Sequence, residues 1–117
     1  LSDDGCIVLV SGAPARRAKP GQAAIASVGG AVEQFVRAVT AELAPKRINV
    51  VSPGVIDTPM FGNDADARAK MLGGATAKNL IPRAGTSEEV AEGIMFVVKN
   101  DFVTGTTVDV DGGWILS

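Results

Sequence analysis

The sequence predicts an α/β fold in which a small parallel sheet of about three strands is flanked by helices. Three observations predict it. A short, continuous apolar run, Cys6–Val10, and a second short run, residues 48–52, with apolar Ile48, Val50 and Val51 and a proline after it, have the form of strands covered on both faces. Between them apolar residues recur every three or four positions, the period of a helix. A last alternating run, residues 106–110, ends in Asp111-Gly112-Gly113. The expected order is strand, helix, strand, excursion, helix, strand, closed by right-handed crossovers.

In the first strand Cys6 reads as a small hydrophobe and core filler, and Ser11 and Gly12 leave its carboxyl end. Residues 13–21 are broken by Pro14 and Pro20 and carry Arg16, Arg17 and Lys19, which reads as a solvated basic loop. Val28, Val32, Phe35, Val39 and Leu43 then form one helical stripe, ending near Ala44-Pro45. Gly29 and Gly30 each cost a helix about 1 kcal/mol relative to Ala. Either the helix begins after them or something approaches its backbone closely there. In the second strand Ile48, Val50 and Val51 are apolar; Pro53 stops the ladder for want of a donor, and Gly54 permits a tight reversal. Ligands of open α/β sheets sit beyond the carboxyl ends of strands, so this Pro-Gly turn marks a ligand site.

Residues 63–74 read as a short charged helix ended by Gly73-Gly74, and a lid segment is expected over 62–80. Thr86-Ser87-Glu88-Glu89 is a helix start with a polar cap and acids in the first turn. Val90, Ile94, Phe96, Val97 and Val98 carry its apolar side, and Asn100-Asp101 closes it.

With 117 residues the chain has room for one domain, 1–117, with one core. A net charge of -2, with 21% charged residues, offers no broad basic field and excludes nucleic-acid binding. One cysteine and no histidine leave no internal disulfide and no ordinary zinc site. The expectation is a reduced, metal-free, cytoplasmic protein. No apolar run reaches membrane-spanning length and no cationic apolar leader begins the chain. The start at Leu1, just before the turn signal Asp3-Asp4-Gly5, reads as a chain entered in the middle.

Several segments, in this order and spacing, resemble the short-chain dehydrogenase/reductase family. They are Gly5-Cys6-Ile7-Val8, Ala41-Glu42-Leu43-Ala44, residues 48–58, Ile81-Pro82-Arg83-Ala84-Gly85-Thr86, and Thr104-Gly105 followed by Val108-Asp109-Val110-Asp111-Gly112-Gly113. The resemblance covers nearly the whole chain and is to the carboxyl-terminal half of that family's Rossmann-like domain. It implies a partial sheet, completed by an N-terminal half or by a partner, that binds NAD or NADP. By position, the cofactor-binding residues would be Pro53, Gly54, Val55, Ile56 and Thr58: Pro53 and Gly54 would form the floor under the nicotinamide, the backbone of Ile56 would hold its carboxamide, and Thr58 would support it. Read from the residues alone, Pro53-Gly54 could equally just turn the chain and Thr58 could cap the next segment.

The family protonates or deprotonates its substrate with a Tyr activated by a Lys, and a Ser donates a hydrogen bond to the substrate. Counting back from Ala41-Glu42-Leu43 without gaps places the Tyr on Ile25 and the Lys on Gly29. The Ser falls on Gly12, with Ser11 one residue earlier, so Ser11 is the remaining catalytic candidate. No shift of register restores the acid, because the chain contains no Tyr. The phosphate-cradling G-x-G-x-x-G loop is also absent.

The leading expectation is an NAD(P)-dependent oxidoreductase of small-molecule carbonyls or alcohols, catalytically degenerate in this chain. An alternative, from a different class, is a non-catalytic binding or self-assembly module. For that module the open edge of the first strand and the outer face of the long helix would make a homo-oligomer. A hydrolase built on Ser11 fails for want of a histidine base.

Overall fold

A computed structural model describes residues 1–117. Three parallel strands, β1 (Cys6–Val10), β2 (Arg47–Pro53) and β3 (Thr107–Val110), lie side by side in that order. The helices are α1 (Ala23–Leu43), α2 (Ala65–Thr76) and α3 (Ser87–Lys99). β2 is the central strand, and Ile48, Asn49, Val50, Val51 and Ser52 are all buried. Pro53 does not stop the ladder as expected. It closes the strand opposite Val110, at the one end where a missing donor costs nothing, and Gly54 N–H takes up the bond to Val110 O at 3.0 Å. β1 is a half-buried edge strand rather than a fully buried one, with Val10 exposed at its end. Cys6 is correspondingly only part-buried, its Sγ 3.7 Å from Val97 O on α3.

Side chains alternate between the faces of a strand, and that alternation assigns the helices. Val36 of α1 packs on Ile48 and Val50, with Ile7 and Leu9 beside them. Gly93 of α3 lies against Val51 and Val110, which belong to the other face. The two helices therefore cover opposite faces while the strands step across the sheet in one direction. Crossovers on opposite faces have opposite hands, so one of the two is left-handed, against the expectation that both would be right-handed.

α1 starts at Ala23, well before the paired glycines, and the alternative left open by the sequence resolves as close approach. Gly29 is buried against the turn Ala13–Ala15, and a Cβ there would stand 2.9 Å from the Ala15 Cβ. The helix accordingly buries Gly29, Glu33 and Val36, whereas Val28 and Phe35 of the expected stripe are 66% and 55% exposed. Similarly, α3 buries Val97 but leaves Phe96 and Val98 outward, and Arg47 caps its end by donating to Val97 O (2.7 Å) and Val98 O (2.8 Å). Its start is as expected: Thr86 and Glu89 form a reciprocal capping box. α2 runs through Gly73 and Gly74 instead of ending there, because both keep helical φ and burial of Leu72 and Thr76 holds the helix down.

Candidate functional site

The carboxyl ends of the three parallel strands share one edge of the sheet, and the segments leaving them enclose a cavity of about 700 Å³. That volume falls in the range of small-molecule sites. The end of β1 supplies Ser11 and Gly12 to the wall, and the end of β2 supplies Pro53, Gly54, Val55, Ile56 and Thr58. Every site residue expected from the sequence, together with Ile25, therefore lines one cavity. Gly29 is the exception; it faces Ala15 and not the cavity.

Gly54 has a different reason to be glycine from the one expected. Its φ is not positive; a Cβ would instead meet the Asp111 backbone at 2.7 Å, so the bare glycine lets the β2 and β3 ends close together. Beyond it, Ile56 bridges to Gly85 through its neighbours: Gly85 N–H donates to Val55 O (2.9 Å) and Asp57 N–H donates to Gly85 O (2.8 Å). In such a parallel bridge the central residue turns its own polar groups to the opposite side. Ile56 N–H and C=O indeed make no hydrogen bond within the protein. One free donor and one free acceptor on a single wall residue match the two halves of a carboxamide. Thr58 precedes the turn Pro59–Phe61, but its side chain makes no capping bond, which leaves the hydroxyl available.

Ser11 is held by a partner the sequence did not reveal. Its Oγ donates to Glu33 Oε1 at 2.8 Å, so its hydrogen is already committed and does not point to a ligand. Glu33 is 5% exposed, and Arg16 Nε meets its other oxygen at 3.3 Å while the guanidinium also pairs with Asp109 on β3. Burial pulls the Arg16 guanidinium down, but the bond to Asp109 and the charges of Asp109, Glu33 and Asp111 outweigh it, and the net shift is upward. Arg17 donates to Trp114 O at 3.3 Å, and Trp114 Nε1–H returns a bond to Arg17 O at 3.2 Å. Lys19 Nζ lies 3.9 Å from the centroid of the Trp114 ring. The loop read as solvated is thus tied to α1, β3 and the turn Trp114–Leu116. The one available signal was a carboxylate at position 33, between Val32 and Val36 on the buried side of α1, with surplus arginines just upstream.

The family model described as Enoyl-(Acyl carrier protein) reductase matches residues 1–115. The chain belongs to the short-chain dehydrogenase/reductase family. It is 39% identical over 110 residues to a short-chain dehydrogenase/reductase of Stachybotrys chlorohalonatus, covering 94% of this chain and 44% of that protein. It is 41% identical over 116 residues to a cyclopentanol dehydrogenase of Comamonas sp. (strain NCIMB 9872), covering 94% of this chain and 45% of that protein. A small-chain dehydrogenase solved in complex with NADPH superposes with a TM-score of 0.91 at 32% identity, covering 100% of this chain and 54% of that one. The chain spans about half the length of the curated relatives it matches. No helix of this family member is long and apolar enough to cross a membrane, and no group of three or more Cys, Asp or Glu residues is placed to hold a metal.

Proposed function

We propose that this chain is the carboxyl-terminal half of an NAD(P)-dependent carbonyl or alcohol oxidoreductase site, acting in a reducing, cytoplasmic compartment. The observation that carries this reading is the meeting of Pro53, Gly54, Ile56 and Thr58 in one cavity, with the N–H and C=O of Ile56 free. Ile56 would hold the nicotinamide carboxamide by one donated and one accepted bond, Thr58 would support it, and Pro53 and Gly54 would form the floor. The nicotinamide, when bound, supplies or takes the hydride. Residues 62–80, which contribute Ala75 to the wall, would act as a lid tied down where Arg68 meets Asp57 at 2.9 Å.

Proton transfer is the weak point. Ile25 faces the cavity where the family's acid belongs and has no proton to give, and Gly29 adds no cation. Ser11 is committed to Glu33. A positioned acid or base contributes about 10²- to 10⁴-fold, and turnover by this chain should be slower than that of a family member with the Tyr by roughly that factor. Calorimetric titration with NADPH and NADH tests the site directly. Saturable binding that is lost in Thr58→Trp, which fills the pocket, is expected; no heat at millimolar cofactor would overturn the reading. The self-assembly alternative draws on the exposed Ile25, Val28 and Phe35 of α1 and the open β1 edge.

A further inference from the structure

Among the residues lining the cavity, Lys19 alone carries a charge. Of its neighbours in the same loop, Arg16 is paired with Glu33 and Asp109, and Arg17 keeps its charge but donates to Trp114 O and does not line the cavity. Lys19 has no carboxylate within 4.0 Å, and none lines the cavity. It is also fixed in place. Its N–H donates to Gln22 Oε1 (2.8 Å), its C=O accepts from Gln22 N–H (3.0 Å), and Gly21 makes the turn between them at φ 87°. The ammonium lies over the Trp114 indole, which is 6% exposed and locked by its own bond to Arg17 O. The aromatic face attracts the cation but does not cancel its charge, and it leaves the hydrogens turned away from the ring free to donate. The rest of the wall is largely apolar, with Ile25, Val55, Met60 and Phe61 facing the same space.

We infer that Lys19 selects substrates bearing a carboxylate, so that the compound served by this site is an oxo or hydroxy acid with an apolar body. This rests on the reading of the cavity as a redox site and adds its substrate class. The carboxylate would accept a hydrogen bond from Lys19 Nζ at the Trp114 end, leaving the reacting carbon toward Pro53 and Gly54. Lys19 is itself exposed, so water screens the pairing, and a charge-assisted bond of this kind is worth about 2- to 5-fold in affinity.

Titration of the protein with hexanoate and with the isosteric neutral hexanamide, read by calorimetry, tests the assignment without needing turnover. Hexanoate should bind about 2- to 5-fold more tightly. Lys19→Gln should abolish the difference and Lys19→Arg should keep it. Added salt should weaken hexanoate and leave hexanamide unchanged in the wild-type protein, a measurement independent of how the variants fold. Equal affinities, a preference that persists in Lys19→Gln, or no saturable binding of either probe would each overturn the inference. A parallel NADPH titration separates the two readings. Anion preference without cofactor binding would remove the redox site and keep the Lys19 anchor; cofactor binding without anion preference would remove the anchor alone.

Discussion

Gly29 shows how a single residue settles packing. It is the position proposed above for the family's Lys, and a Cβ there would sit 2.9 Å from the Ala15 Cβ, on a turn with no flexible side chain to yield. Gly29→Ala gains about 1 kcal/mol of helix propensity, but overpacking of this kind costs roughly 1–3 kcal/mol. Urea unfolding should therefore find the variant less stable, and Ala15→Gly in the same chain should recover it. An unchanged or higher midpoint for Gly29→Ala alone would contradict the close approach. The same geometry explains why restoring a lysine there is no simple repair: the position points at Ala15 and not into the cavity. Ser11 follows a similar logic, since its bond to Glu33 makes it part of a charged network first.

At the scale of elements, β2 and the Pro53-Gly54 turn were legible because Ile48, Val50 and Val51 suit a strand covered on both faces and the Pro-Gly pair falls at its end. The Thr86 start of α3 was legible because capping is local chemistry. That start also carries a pH dependence. The Arg83 guanidinium, followed by the Thr86 backbone N–H, holds the Glu89 carboxyl well below its usual 4.5, at about 2. A depressed carboxyl stabilises the fold above its unfolded value and loses that contribution as pH falls through its folded one. The stability gap between wild type and Glu89→Gln should thus be constant above about pH 4.5 and close progressively toward pH 2. Acid titration followed by circular dichroism measures it; a gap that stays open at pH 2 would refute the assignment. The faces of α1 and α3 were harder to read. Both helices carry apolar residues on two sides, and only the sheet decides which side is inward. The Arg16, Glu33 and Asp109 cluster was beyond reach because it joins residues up to 93 positions apart, a separation no local spacing records.

For the molecule as a whole, surface area is the telling quantity. A folded chain of 11.9 kDa exposes about 5,900 Å², whereas this one exposes 7051 Å². The difference, about 1,100 Å², is close to one partner's share of a specific interface. The radius of gyration, 15.3 Å, likewise exceeds the roughly 13 Å usual for this length. The chain should therefore not stay alone in solution. Sedimentation at micromolar concentration should find a dimer or larger species, shifted toward monomer by Phe35→Glu on the outer face of α1; a stable monomer that binds no apolar dye would argue against any such partner. Finally, the latch between Trp114 and Arg17 sets a clock on the site's birth. A ribosome that has just released Arg17 must add 97 more residues before the indole arrives, which at about 5–20 residues per second takes roughly 5–20 s. The wall formed by the loop at Arg17 is thus completed by a residue 97 positions further along the chain.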